Sequence, residues 1–409
     1  MENVRRSVAA TAGALILAAA FAHAQDWPQW RGPQRDGKVA GFTAPATWPR
    51  ELSQKWKVAV GTGDATPALV DGKLYVFTRQ GDEEVTLCLN AADGKELWKD
   101  RVAAQAVTGP ASRHPGPRSS PAVADGKVVT LGVGGVLSCL DAAGGKVLWR
   151  KDEFPRTVPR FFTSMSPLIV DGMAIAHLGG QGKGAMIAFD LASGTPKWRW
   201  DGEAPEYASP VLMTAEGVKQ VVTLTEKSIV GIGAADGKLL WQLPFVPQGR
   251  AYNSATPIVD GQTVIYTGSG RGTKAVKVEK QGDGFAAREL WSNAELAPQF
   301  NSPVLKDGLL YGFSDRNNLF CIDARTGKTA WTDAVTHGRG GFAAILDAGA
   351  VLLALPSTSE LIAFKPGDKE CAPLARIKVA DTPTYAHPVV AGTRIFMTDQ
   401  ESLAMWAVE

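Results

Sequence analysis

The ten residues IDARTGKTAW, Ile322 to Trp331, decide how the whole chain is read. They contain Gly-Lys-Thr, the last three letters of a phosphate-binding loop. That loop needs G-x-x-x-x-G-K-[ST] between a strand and a helix. Ile322 stands where its first glycine belongs, and no helical pattern follows Trp331. The same outline recurs as LNAADGKELW (ending at Trp98), LDAAGGKVLW (Trp149), FDLASGTPKW (Trp198) and IGAADGKLLW (Trp241). A motif that recurs with other residues after Gly-Lys is a turn, not a nucleotide site. Asp323 suits an Asx-type turn, Gly327 suits positive φ, and Trp331 suits packing between neighbouring units. A fifth copy stretches the turn to EKQGDGFAARELW, ending at Trp291, and FKPGDKECAPLARIKV has Arg376 near the expected position and no tryptophan.

Each copy is preceded by a second pattern: Ser or Thr, Pro, a few apolar residues, Asp-Gly and a β-rich run. It is carried by Pro67, Pro121, Pro167, Pro210, Pro257, Pro303 and Pro388, spaced 54, 46, 43, 47, 46 and 85 residues apart. The last gap is two periods, filled by a copy without the proline, FAAILDAGAVLLAL from Phe342. The array therefore has eight members. Each unit reads as four short strands with Asp-Gly hairpin signals. Four-stranded units at ~40–50-residue spacing predict an all-β, eight-bladed β-propeller of antiparallel blades. A solenoid is the competing architecture, but the chain ends complement each other. The last unit stops after three strands at SLAMWAVE, while SQKWKVAVG, Ser53 to Gly61, is an unassigned fourth strand. The N-terminal strand is expected to complete blade eight and close the ring, removing exposed edges.

The chain opens with Arg5 and Arg6, an apolar run from Val8 to Phe21, and Ala22-His23-Ala24. This reads as a secretory signal, residues 1–24, cleaved after Ala24. Its apolar core is shorter than the ~20 residues of a spanning helix. An exported protein, periplasmic or secreted, is expected, with residues 25–51 an aromatic and Pro-Gly segment packed on a single propeller spanning 52–409. Losing Glu2, Arg5 and Arg6 takes the formal charge from +2 to +1, which implies no nucleic-acid partner. No later segment spans a membrane, and a monomer is expected. Cys88, Cys139 and Cys321 occupy equivalent repeat positions, too far apart to pair if the units are successive blades. Free thiols follow.

These repeats resemble the A-x-D-x-x-T-G-K-x-x-W units of the pyrroloquinoline-quinone (PQQ) propeller repeat superfamily over roughly residues 50–409. The segment DWPQWRGPQRDG, Asp26 to Gly37, is similar to the W-P-x-W-R-G-P opening of exported bacterial members. The superfamily includes quinoprotein dehydrogenases and BamB-like subunits of the outer-membrane barrel-assembly machine. Length, blade count and export signal favour the BamB-like group. That resemblance implies a non-catalytic propeller binding an envelope protein or small ligand, with no cofactor firmly implied. The alternative is a small quinoprotein dehydrogenase oxidising an alcohol or sugar with PQQ and calcium. Against it, the chain has no Cys-Cys pair and no C-x-x-C-H haem site, and it is shorter than those enzymes.

Function is expected where the copies differ. The residues just before each Ser/Thr-Pro begin the innermost strand at one channel mouth. They nominate a ligand funnel of Arg118, Phe162, Tyr207, Asn253, Asn301, Arg339 and Tyr385, with Asp64 in the first unit. Arginines, aromatics and amides converging there suit an anionic or planar ligand; the competing reading is a capped, water-filled channel. The insertion VTGPASRHPGPR, Val107 to Arg118, overhangs the same mouth with Arg113 and His114. His114, His177, His337 and His387 show no metal-ligand spacing, and His177 reads as a packed strand histidine. Trp98, Trp149, Trp198, Trp241, Trp291 and Trp331 are assigned structural, inter-blade roles. Trp27, Trp30 and Arg31 are expected to pack on the propeller.

Overall fold

The computed structural model describes residues 26–282 and 284–409. The signal segment 1–24 and its cleavage site lie outside the described residues. Eight four-stranded antiparallel sheets form the ring. In chain order the blades cover 68–103, 122–151, 168–200, 211–244, 258–293, 304–336, 343–378 and 389–407, the last completed by Ser53–Ala59. That closing strand pairs antiparallel with Ser402–Ala407, from Ser53 opposite Ala407 to Ala59 opposite Ser402. The Asp-Gly pairs are the hairpin turns. Asp71, Asp125, Asp171 and Asp307 have φ of 49° to 50°, each followed by a positive-φ glycine. Such turns match the twist of the strands they join.

The Ser/Thr-Pro pattern has its own cause. The Ser120 hydroxyl accepts the Thr66 N–H (3.1 Å), Ser166 that of Ser120 (2.9 Å) and Ser209 that of Ser166 (2.9 Å). Ser302 accepts from Thr256 (2.8 Å), and Thr66 accepts from His387 (2.9 Å). A belt of hydroxyls thus stitches five of the eight blade junctions along the channel, giving buried backbone donors an acceptor.

The Gly-Lys turns and tryptophans form a second, outer stitch. Trp98 donates its indole N–H to Ala142 O of the next blade (3.1 Å), Trp149 to Leu191 O (3.1 Å), Trp198 to Ala234 O (3.0 Å), Trp291 to Ala324 O (2.8 Å) and Trp331 to Gly367 O (2.9 Å). Trp56 of the closing strand does the same to Ala91 O (3.3 Å). The turn glycine of the receiving blade lies against the ring: a Cβ on Gly327 would meet Trp291 at 2.6 Å. Asp323 accepts the N–H groups of Arg325 (2.8 Å) and Thr326 (3.2 Å), and these bonds hold its carboxyl below the usual range. Trp241 departs from the pattern. It donates to Gln220 Oε1 of its own blade (2.7 Å), because blade five replaces the tight Gly-Lys turn with the long hairpin around residue 282. In blade seven the register sets Ala375, not Arg376, opposite Ala363, where the other blades carry tryptophan. The bulge between Ala363 and Phe364 fixes that register. All four cysteines are free, three of them fully buried in separate blades.

Candidate functional site

The segment from Asp26 to Val39 crosses the channel at the end that carries the Asp-Gly turns. Trp27 exchanges backbone hydrogen bonds with Leu69 of blade one (2.7 and 2.9 Å), and Pro28 O accepts from Val123 of blade two (2.8 Å). The Arg31 guanidinium is 1% exposed and donates to Ser302 O (2.8 Å) and Pro303 O (2.6 Å) of blade six. Arg35 is 2% exposed and donates to Ser166 O and Pro167 O of blade three (2.8 Å each). Val39 N–H donates to Asp347 O, and Asp347 N–H to Gly37 O, tying the segment to blade seven (2.8 and 2.9 Å). The glycine five residues after the first tryptophan has a steric reason: a Cβ on Gly32 would lie 3.1 Å from the Trp27 ring. Burial lowers Arg31 to about 10 against the raising effect of Asp36, and burial lowers Arg35 to about 9. Both stay cationic at neutral pH.

Above this floor lies a cavity of about 410 Å³ open to the opposite mouth. Trp30 forms part of its base, its indole N–H donating to the Thr256 hydroxyl (2.8 Å) and its ring 4.5 Å from that of His387 in blade eight. Ser166, Ser209 and Ser302 of the belt also line it. The mouth is a collar of rings. Phe161 meets Tyr252 (5.3 Å), Tyr252 meets Phe300 (6.3 Å), Phe300 stacks on Phe342 (4.6 Å, 15°), and Phe342 meets Tyr385 (5.3 Å). His114 of the insertion completes the run, 4.6 Å from Tyr385 and 6.2 Å from Phe342. Its Nδ1 is 2.8 Å from Asp64 Oδ2. Arg118 bridges the remaining gap, donating to His114 O (2.7 Å) and Phe161 O; burial lowers its pKa, opposed by Asp64.

Of the funnel residues nominated from sequence, Arg118, Tyr207, Asn301 and Tyr385 line this cavity. Tyr207 OH accepts the Phe161 N–H (3.0 Å), and Asn301 spends its amide on Phe313 O (3.0 Å) and Gly341 O (3.2 Å). The other three lie off the lumen. Phe162 has φ 66° and packs with Ala111, Val133 and Val158. Asn253 is fully buried, its amide on Thr225 O (2.8 Å) and Phe245 O (3.0 Å). Arg339 is exposed in a loop with Gly338, Gly340 and Gly341 at positive φ. Phe161, Tyr252, Phe300 and Phe342 were not singled out, although the first three directly precede nominated residues.

Calcium with PQQ finds a poor donor set here. Asp64 is the carboxylate in the cavity lining and is engaged by His114. No cluster of three or more His, Cys, Asp or Glu among the described residues suits a metal ion. Phe300 lies near-parallel to Phe342 (4.6 Å) and to Tyr252 (6.3 Å), so the collar spends ring surface on itself.

Fold and site together define an eight-bladed PQQ-like propeller with an N-terminal plug and an aromatic mouth. The family model described as "Outer membrane protein assembly factor BamB" matches residues 111–333, more than half of the chain, and the chain belongs to that family. It is 28% identical over 270 residues to the outer membrane protein assembly factor BamB of Xanthomonas campestris, a match spanning 60% of each chain. Its fold is that of BamB from Moraxella catarrhalis (TM-score 0.66, 13% identity, 87% of this chain and 99% of the other). The quinohemoprotein alcohol dehydrogenase of Comamonas testosteroni shares it too (TM-score 0.68, 15% identity, 96% and 82%). At such identity these two likenesses show the fold alone.

Proposed function

We propose that this protein is an exported, non-catalytic propeller of the cell envelope that holds a protein partner and uses its aromatic mouth as a ligand site. The observation that supports the non-catalytic part is that the cavity lining holds a single carboxylate, Asp64, a poor donor set for calcium with PQQ. Asp64 and His114 face each other, Arg118 is spent on two carbonyls, and Asn301 on two more. An imidazole oriented by a carboxylate keeps a general base's capacity through its other nitrogen, so the measurement with PQQ and calcium bears directly on the pair of His114 and Asp64. The family match supports an assembly role, by analogy with relatives described as outer membrane protein assembly factors. The signal-like residues 1–24 support export to the periplasm.

Two measurements test this. Purified protein mixed with PQQ and calcium is expected to show no bound-cofactor absorbance and no reduction of an artificial acceptor with alcohols or sugars. Either signal returns the protein to the quinoprotein class. A photo-crosslinking residue at Tyr385, expressed in cells, is expected to give a discrete protein adduct. An Arg118→Ala variant that leaves every adduct and every ligand unchanged removes the mouth from the proposal.

A further inference from the structure

The charge behind the cavity floor is not balanced. Arg31 and Arg35 are buried and held by backbone carbonyls and the Gln29 amide oxygen, with no carboxylate of the described residues in contact. Asp36, whose charge acts on Arg31, accepts instead from the Lys38 N–H (3.1 Å) and lies 3.9 Å from its ammonium. Oxygen dipoles satisfy the guanidinium donors except Arg35 Nε, but leave two positive charges in a region of low dielectric. Their field reaches the lumen: the residues whose carbonyls they hold, Ser166 and Ser302, line the floor.

The floor also has donors to spare. The hydroxyls of Ser166, Ser209 and Ser302 are each occupied as acceptors by the belt. As hydroxyls they can donate as well, and their protons have no acceptor among the described residues. His387, 3% exposed and lining the floor, has a buried Nδ1 without a partner. Above, the walls are apolar. Phe300 and Phe342 stack on each other (4.6 Å, 15°), and Phe161, Tyr252 and Tyr385 continue the apolar lining. Such an apolar collar accommodates a hydrocarbon chain.

We propose that this cavity binds a single-chain aliphatic carboxylate, its head on the hydroxyl floor in front of Arg31 and Arg35 and its hydrocarbon within the aromatic collar. This rests on the reading of the mouth as a ligand site and names the ligand's chemistry. Calorimetry of the whole mature protein with hexanoate, octanoate and decanoate, below their micelle concentrations, tests it. One site is expected, tightening about fourfold per methylene and so about 16-fold from octanoate to decanoate. Decanol is expected to bind at least tenfold more weakly and decyltrimethylammonium not at all. Ser164→Trp, which fills the lumen from a cavity-lining position, abolishes binding while circular dichroism reports an intact fold. Should that variant not fold, the decanoate and decanol comparison on the unaltered protein still decides. Decanol equal to decanoate overturns the anionic head but leaves the mouth as a ligand site. No binding by any chain overturns both. Decanoate binding that survives in folded Ser164→Trp places the site elsewhere and overturns the proposal.

Discussion

Gly327→Ala puts a number on the contact that explains the repeat. Gly327 has φ +74°, and an added Cβ would sit 2.6, 2.7 and 2.9 Å from Cε3, Cδ2 and Cγ of Trp291 in the preceding blade. Two costs combine. An L-residue in the left-handed region loses about 1–2 kcal/mol, and forcing a buried ring aside in a packed seam costs about 1–3 kcal/mol. The total is about 2–5 kcal/mol. Gly308 separates the terms, because its φ is +76° and nothing lies within 4 Å of its added Cβ. Gly308→Ala should therefore cost only the backbone part. Urea denaturation followed by far-ultraviolet circular dichroism, compared by midpoint at common slope, reads the difference. Gly327→Ala is expected to be the less stable by about 1–3 kcal/mol. In a Trp291→Leu background the two alanine substitutions should become equal, since the ring that distinguishes them is gone. Equal midpoints in the unaltered background would refute the idea that tryptophan and glycine form the seam.

The remaining predictions concern belt, plug and mouth. Ser120→Ala removes the acceptor of the buried Thr66 N–H and should cost about 1–3 kcal/mol in the same assay. Arg35→Lys replaces a planar fork spanning Ser166 O and Pro167 O with a point charge and should lower the melting temperature, while leucine at exposed Gln34 leaves it unchanged. Glu206 is raised to about 7, chiefly by burial, against the lowering effects of the Asn253 N–H and Arg271. An acid raised on folding binds more protons when folded, so its contribution is greatest at low pH and declines from about pH 4.5 through 7. Glu206→Gln should flatten that decline and stabilise the protein at pH 8 by about 1–2 kcal/mol after allowing for partial exposure. Thermal melts across pH 5–8 check the sign.

What the sequence disclosed tracks what repeats. Gly327, Asp323 and Trp331 recur with the period, so eight blades and the closing strand were legible, as was the assignment of the Asp-Gly pairs to turns. The mouth was legible only to within a residue. Strand side chains alternate faces, so an offset of one position turns a residue away from the lumen, and the loops entering each inner strand carry no apolar alternation to fix the phase. Hence Asn253 was nominated where Tyr252 lines the cavity, and Phe162 where Phe161 does. Arg339 missed by three positions because three left-handed glycines reshape its loop. The belt was hidden in plain letters: Ser/Thr-Pro was visible, but a hydroxyl's partner some 45 residues away was not. Arg31 and Arg35 pair with carbonyls, which leave no trace in sequence.

The plug also sets a timetable. Residues 26–39 contact blades one, two, three, five, six, seven and eight, and the strand Ser53–Ala59 waits for Ser402–Ala407. Neither has a complete docking site until nearly the whole chain has been made. Residues 26–59 are therefore made early and placed last, and a protein truncated late in synthesis would expose two arginines, two tryptophans and an unpaired strand for quality control to find.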